Sequence, residues 1–257
     1  MFNKTYLKLI LYTFFVAVLL QSCASKRDVV YIQDADNFET IVDNNSFTTK
    51  FKVDDLVNIF VSTLNPEASA PFNLFRGAPE GGIRAEQVDY LIDREGEIDF
   101  PVIGKIKIAG LSAQETRVLL KEKLAEYLID PIINIRLTNF EISVLGEVNR
   151  PGTYPVNGER ITIFEALGLA GDLTIKGKRD NILVLREFDG VKVYHRIDLR
   201  STETFNSPVY YLTQNDVVYV EPNRSAITSS SLDSRATIAV SIASVLITSA
   251  VLIITRN

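Results

Sequence analysis

The 257-residue chain has one cysteine, one histidine, one methionine and no tryptophan. A lone Cys excludes a disulfide framework, and one Cys with one His excludes a metal centre built from several such ligands. Carboxylate-only chemistry remains arithmetically possible. Positive charge is not in excess either: 27 Lys and Arg face 32 Asp and Glu, a net charge of −5. A chain of that sign is a poor electrostatic partner for a nucleic acid. An apolar fraction of 46% with 9% aromatics argues equally against disorder.

Charge is also missing from both ends. Lys4 and Lys8 precede the apolar stretch Leu9 to Leu20, too short to span a bilayer comfortably, which is the pattern of an export signal. Losing those two lysines takes the net charge from −5 to −7. The leader ends in Leu20-Gln21-Ser22-Cys23, which resembles a bacterial lipobox, with Gln21 in place of the usual small residue. A thiol is needed there because the diacylglyceryl group is attached as a thioether, and a diacylated, N-acylated cysteine holds a protein stably on a membrane. Cys23 is therefore the expected lipid-attachment residue, and residues 1–22 the expected signal peptide. Ala24-Ser25-Lys26-Arg27 places no acidic residue beside the Cys, which by resemblance to sorting rules favours the outer membrane.

About 200 residues remain for folded domains, enough for two modest cores. In the first, Leu56 to Val61 and Val88 to Asp93 read as strands, with a hairpin turning at Gly96 into Ile98 to Gly104. Ser112 and Glu115 form a capping box opening a helix with Leu120, Leu124, Tyr127 and Leu128 on one face, stopped at Asp130-Pro131. Ile133, Ile135 and Leu137 alternate with polar residues along a further strand. A second unit starts near Glu141. Ile142 to Gly146 and Thr153 to Val156 pair around Pro151-Gly152, Thr162 and Glu165 repeat the capping box, and Gly171 closes a short helix. Two strands then flank Asp189-Gly190, a strong two-residue hairpin signal, and Val217 to Val220 ends the unit. This order suggests a β-grasp-like domain.

Tyr90 to Gly104, Ile108 to Ser112 and Asp130-Pro131 resemble the polysaccharide export domain. Val144 to Val148, Arg150 to Tyr154, Glu165 to Gly171 and Leu212 to Val220 resemble the soluble-ligand-binding β-grasp (SLBB) domain. The chain is thus similar to the outer-membrane lipoproteins of capsule and exopolysaccharide export, the Wza type. Two features depart from the family pattern. Val53-Asp54-Asp55-Leu56 stands where a Gly-rich turn is usual, and one β-grasp copy is present where some members have two. The expected fold class is α+β: an export domain over 49–140 after an anchor segment 23–48, a β-grasp-like SLBB domain over 141–222, a linker 223–235 and a C-terminal transmembrane α-helix over 236–255.

Enzyme readings find little support. His195 lies in an alternating strand with no partner motif. Asp89, Asp93 and Asp99 could be imagined as paired carboxylates for sugar hydrolysis, but they sit where a hairpin and its solvent face are expected, and no Trp supplies a sugar platform. Gly168 to Gly171 ends a helix instead of starting one and lacks the Lys-Ser/Thr of a phosphate loop. No catalytic residue, cofactor or metal is expected.

Residues 236–255 carry no charge and are bounded by Arg235 and Arg256. As a helix they would extend about 30 Å, one hydrocarbon thickness. At about 100° per residue, Thr237, Ser241, Ser244, Thr248 and Thr255 fall within an arc of about 60°, with Ser249 outside it. On the residues alone two uses stay open: a small-residue packing face whose hydroxyls bond the preceding turn, or a ring of helices with hydroxyls inward and aliphatics toward lipid. The resemblance implies the second, with these five residues lining a pore for hydrated sugar. It further implies an octameric homo-oligomeric ring, an inner-membrane polysaccharide co-polymerase or tyrosine autokinase as partner, and globular domains in the periplasm. A competing topology follows from the ten Ile, Leu and Val among those twenty residues, which would suit an inner-membrane tail. The alternative function is a tail-anchored periplasmic sugar-binding or scaffold lipoprotein without a pore.

Overall fold

The computed structural model describes residues 29–35, 47–77, 86–188 and 190–231, together with 238, 240–245, 247–249 and 251. Two hydrophobic cores follow one another along the chain.

The first unit runs through β1 (Leu56–Ser62), the two-residue strands β2 (Phe75–Arg76), β3 (Glu86–Gln87) and β4 (Tyr90–Leu91), the hairpin β5 (Glu97–Phe100) and β6 (Gly104–Lys107), helix α1 (Ala113–Leu124) and β7 (Ile132–Leu137). β1 is central in a sheet of order β4-β1-β7 and pairs antiparallel with both neighbours. Alternation decides its orientation: Val57, Ile59 and Val61 are buried, as are Ile133 and Ile135 opposite, while Asn134 and Arg136 face solvent. Ser112 caps α1, its hydroxyl accepting from the Glu115 amide at 3.1 Å while the Glu115 carboxylate accepts from the Ser112 amide at 2.8 Å. Leu120 and Leu124 then seat the helix on the core. Tyr127 does not share that face: α1 stops at Leu124, leaving Tyr127 54% exposed, and Leu128 reaches the core from the turn beyond.

The hairpin expected between residues 88–93 and 98–104 is replaced by another pairing. Asp93 and Glu97 do close a turn, the Asp93 amide donating to the Glu97 carbonyl at 2.8 Å. β4 then joins β1, and β5 pairs with β6. Cross-strand chemistry accounts for the choice, since β5–β6 sets Glu97 opposite Lys107, Asp99 opposite Lys105 and buried Ile98 opposite buried Ile106. The turn at residues 53–56 closes without glycine because Asp54 itself takes a left-handed conformation, φ 68°, which Asp tolerates better than most residues.

The second unit contains β8 (Glu141–Gly146), β9 (Gly152–Pro155), β10 (Ile161–Thr162), α2 (Ile163–Leu169), β11 (Gly177–Phe188), β12 (Val191–Ile197), β13 (Tyr211–Leu212), β14 (Val217–Pro222) and α3 (Arg224–Ser231). Its five-stranded sheet has the order β12-β11-β14-β8-β9, with β14 parallel to β8 at the centre and every other pairing antiparallel. First and last strands side by side, with a capped helix burying Ile163, Ala166 and Leu167 in the same core, is the arrangement a β-grasp requires. The Asp189-Gly190 signal is borne out, as Phe188 pairs with Val191 across a two-residue loop.

The Ser-rich linker begins as a helix. The Asn223 side chain accepts from the Ala226 amide at 3.0 Å and starts α3, whose Ala226 is buried. The described residues between 238 and 251 are helical, and Ile238, Val240, Ile242, Val245, Ile247 and Val251 are all exposed. Among the described residues no helix is long and apolar enough to cross a membrane.

Candidate functional site

Sheet register brings residues 29–35 and α3 to one end of the second sheet. Ile182 on β11 pairs with Ile197 of β12 on one side and Val220 of β14 on the other, so those two strands finish at the same end of the sheet. Residues 29–35 dock just beyond β12. The amides of Ile32 and Gln33 donate to the carbonyls of Leu199 and Arg200 at 3.1 and 2.6 Å. Asp34 accepts from the Ser201 hydroxyl at 2.8 Å and the Thr202 amide at 2.7 Å, and the Ser201 bond chiefly holds its carboxyl below the usual range. Tyr31 sits edge-on to Phe164 under the Arg179 guanidinium, its hydroxyl donating to Asp172. Burial, reinforced by Asp172, pushes that phenol up.

Helix α3 leaves from the end of β14, at the same end of the sheet as that docked strap. Glu221 staples the three strands there: it takes Arg196 of β12 at 2.9 Å and Lys178 of β11 at 3.0 Å, and those two partners hold its carboxyl at about 2.

The opposite end of the sheet holds the first unit. β8 begins there, three residues after β7 ends. Asp216, fully buried, receives both Nε and a terminal nitrogen of Arg186, the latter at 2.7 Å, and the Thr213 amide at 2.8 Å. Lys52 reaches across from the first unit to the Thr213 hydroxyl at 3.2 Å, and burial lowers its pKa. Asp55, 2% exposed, accepts from the Lys52 amide at 2.8 Å, and burial raises its carboxyl to about 6. Asn139 and Gln214 complete the seam, through Leu56 N–H to Asn139 at 2.9 Å and the Gln214 amide to the Asn139 carbonyl at 2.6 Å.

The described residues thus form two units joined at a polar seam, and the sequence comparisons divide the chain in the same two parts. The family described as polysaccharide biosynthesis/export protein matches residues 44–138, and the SLBB domain matches residues 142–196. The chain belongs to the polysaccharide export family. It is 33% identical over 101 residues to the EPS I polysaccharide export outer membrane protein EpsA of Ralstonia solanacearum, an alignment covering 38% of this chain and 27% of that one. The same protein of Ralstonia nicotianae is 32% identical over 101 residues, covering 38% and 26%. The matched stretch therefore spans about a quarter of the length of these curated relatives.

Within this family member the expected site residues fall into two groups. Cys23, Thr237 and Thr255 lie outside the described residues. Ser241, Ser244 and Thr248 are exposed on the described helix. The Ser244 hydroxyl donates to the Ser241 carbonyl at 2.8 Å and Thr248 to the Ser244 carbonyl at 2.7 Å; Ser249, outside the arc, bonds Val245 in the same way. The donor protons of Ser244 and Thr248 are thus turned onto the helix, leaving oxygen lone pairs outward.

Two of the three carboxylates weighed for hydrolysis are occupied structurally. Asp89 accepts from Asn58 and Thr138, each at 2.8 Å, and Asp93 from the Glu95 and Glu97 amides. Asp99 is exposed on β5, and His195 is half-buried on β12 opposite Val184. Among the described residues no group of three His, Cys, Asp or Glu is placed to hold a metal. Sequence reasoning missed the Tyr31 strap and the Lys52 seam, whose partners lie more than 130 residues away along the chain.

Proposed function

We propose that this chain is an outer-membrane translocon subunit that exports capsular or extracellular polysaccharide through a ring-shaped homo-oligomer and carries out no catalysis. The observation that carries the reading is the convergence of the N-terminal strap and α3 on one end of the SLBB sheet, with the export domain at the other. Val30 is seven residues from Cys23, so a lipid on that cysteine holds the docked strap within about 25 Å of the membrane surface. A helix over 236–255 leaving the same end would enter the same bilayer. Both anchors then point one way, and the export domain projects into the periplasm.

That arrangement supports a partner surface as well. Leu64, Ile129 and Ile132 are 107%, 95% and 70% exposed. They lie at the end of the β1–β7 pair farthest from the SLBB seam, where Ser62 pairs with Ile132. An apolar tip of this kind, farthest from the outer membrane, suits docking of an inner-membrane polysaccharide co-polymerase or tyrosine autokinase. In the ring, helices 236–255 stand side by side with Thr237, Ser241, Ser244, Thr248 and Thr255 inward. Oxygens whose protons are used on the helix accept from sugar hydroxyls and carry no charge to hold the cargo.

The same helix-directed bonds favour a second reading, a dry packing seam in a scaffold lipoprotein without a pore. Particle images of the detergent-extracted chain separate the two: a closed ring with an axial lumen is expected, and a compact particle without one refutes the translocon. In cells lacking the chain, extracellular polysaccharide should be lost. Leu placed at 244 and 248 should block its return while leaving lipidation at Cys23 intact.

A further inference from the structure

We propose that the cleft between the export and SLBB domains binds a carboxylate-bearing stretch of polysaccharide. The inference rests on the export reading and names the cargo class that this chain recognises. The cleft has a volume of about 760 Å³, within the range of ligand-binding sites. One wall is the outer edge of β7 with the first turns of α1; the other is the loop Asn157 to Arg160 between β9 and β10.

Its charge is opposite to that of the chain. Arg117, Arg136 and Arg160 line it against one acidic residue, Glu159, in a protein of net charge −5. Arg117 is held along the open strand edge, its Nε donating to the Ile133 carbonyl at 3.1 Å. Arg136 stands exposed on the wet face of β7, and its side chain has no ion pair or hydrogen bond among the described residues. Arg160, also exposed, lies over the Tyr211 ring at 5.0 Å, and the Phe47 ring stacks on the same tyrosine at 5.1 Å. The loop is tied to the far wall by the Thr49 hydroxyl, which donates to the Glu159 carbonyl at 2.6 Å.

The lining selects the ligand. Ile133, Ile135 and Phe140 lie buried beneath the surface, while Ile132 and Phe47 leave apolar surface in the lining, so the cleft sets guanidinium and amide groups beside apolar contact that the C–H face of a sugar ring can use. Planar forks match carboxylates bidentately, and the amides of Asn134 and Asn157 match hydroxyl pairs, while the Gln114 side-chain oxygen accepts from Arg117 and holds that guanidinium in the wall. A chain of uronic-acid sugars presents both groups repeatedly.

The test measures binding of oligogalacturonate and of neutral dextran oligomers to the detergent-solubilised full chain. Saturable oligogalacturonate binding that weakens from low to high salt is expected, with none for dextran. Arg136→Gln combined with Arg160→Gln should weaken it about tenfold, each single change less, and Arg94→Gln in the distant β4–β5 turn not at all. Equal affinity for dextran, no oligogalacturonate binding, displacement by equimolar inorganic phosphate, or indifference to the double change overturns the proposal. So does a shift of ring size in the double variant with binding unchanged, which makes the cleft an interface between copies. These outcomes are separable from the export reading: a strain lacking the chain that still exports polymer refutes export, whereas lost export without oligogalacturonate binding refutes the cleft alone.

Discussion

Gly146→Ala tests the central pairing of the SLBB sheet. Gly146 ends β8 with φ 90° and pairs with Val220 of β14. A Cβ there would lie 2.1 Å from the Val220 carbonyl oxygen and 2.9 Å from its carbon, both backbone atoms. The positive φ alone costs a side-chain-bearing residue about 1–2 kcal/mol. The clash adds more, because β14 cannot move aside: β11 holds its other edge, and the same carbonyl accepts from the Glu147 amide at 3.0 Å. Opening that rung loses a hydrogen bond and leaves a buried carbonyl unsatisfied, about 1–3 kcal/mol. The expected loss is about 3–5 kcal/mol, or on the order of 10 °C in Tm for a chain of this size. Gly168→Ala is the matched control. Gly168 is exposed in α2 with nothing within 4 Å of its Cβ, and the change should gain about 0.5–1 kcal/mol. Thermal unfolding of the detergent-solubilised chain by circular dichroism reads both. If Gly146→Ala falls within about 1 kcal/mol of the parent, the parallel β8–β14 pairing is wrong, and with it the convergence of the two anchors.

Val102, a β-branched residue at φ 68° in the exposed β5–β6 turn, should be improved by Val102→Asn, raising stability by about 1 kcal/mol in the same melts; a loss would mean that the turn is not left-handed. Asp55 titrates near 6 against about 3.9 unfolded. The native state therefore keeps a proton that the unfolded chain has lost, and stability falls as pH rises from about 4 to about 6. Asp55→Asn should raise Tm at pH 7.5 and leave it nearly unchanged at pH 4. Glu221 has the opposite sign, its contribution present above the unfolded value and lost as pH falls toward about 2, so Glu221→Gln should lower Tm at neutral pH and converge with the parent in acid. Leu64→Ser with Ile129→Ser should abolish periplasmic crosslinking to the proposed inner-membrane partner while stability stays within about 0.5 kcal/mol of the parent, since both side chains are already exposed. Residues 24–224 alone should fold and stay soluble, each core being complete without the tail.

What could be read from the sequence is what local chemistry decides. The Ser112–Glu115 and Thr162–Glu165 boxes, the alternation of β1 and β7, and the Asp-Gly loop each depend on residues within one turn or one strand. The β5–β6 pairing gives no distinct local signal because two hairpins compete for the same short strands, and the buried Ile98–Ile106 rung favours one that the turn glycine does not mark. Tyr31 gives no local signal: its partners Phe164, Asp172 and Arg179 come from α2, the turn after it and β11. The cleft escaped for the same reason, since Arg117, Arg136 and Arg160 have unrelated positions along the chain and meet only when the two domains close on each other.

Two anchors at one end of a sheet do more than one could. A lipid on Cys23 by itself would let the SLBB domain turn freely about its tether. The strap, however, is fixed beyond β12, and α3 leaves from β14, two strands separated by β11 alone. That is a spacing of about 10 Å. In the proposed translocon, two attachments so placed would fix the rotation of the sheet about the membrane normal and so determine which of its edges, β9 or β12, meets each neighbour in the ring. The buried Arg186–Asp216 pair and the Lys52 bond to Thr213 then carry the same orientation across the seam to the export domain. On this account Cys23→Ser leaves the helix in place but releases the rotational constraint. The expected result is a membrane-bound chain that forms irregular assemblies, whereas soluble monomers would mean that the lipid alone holds the protein at the membrane.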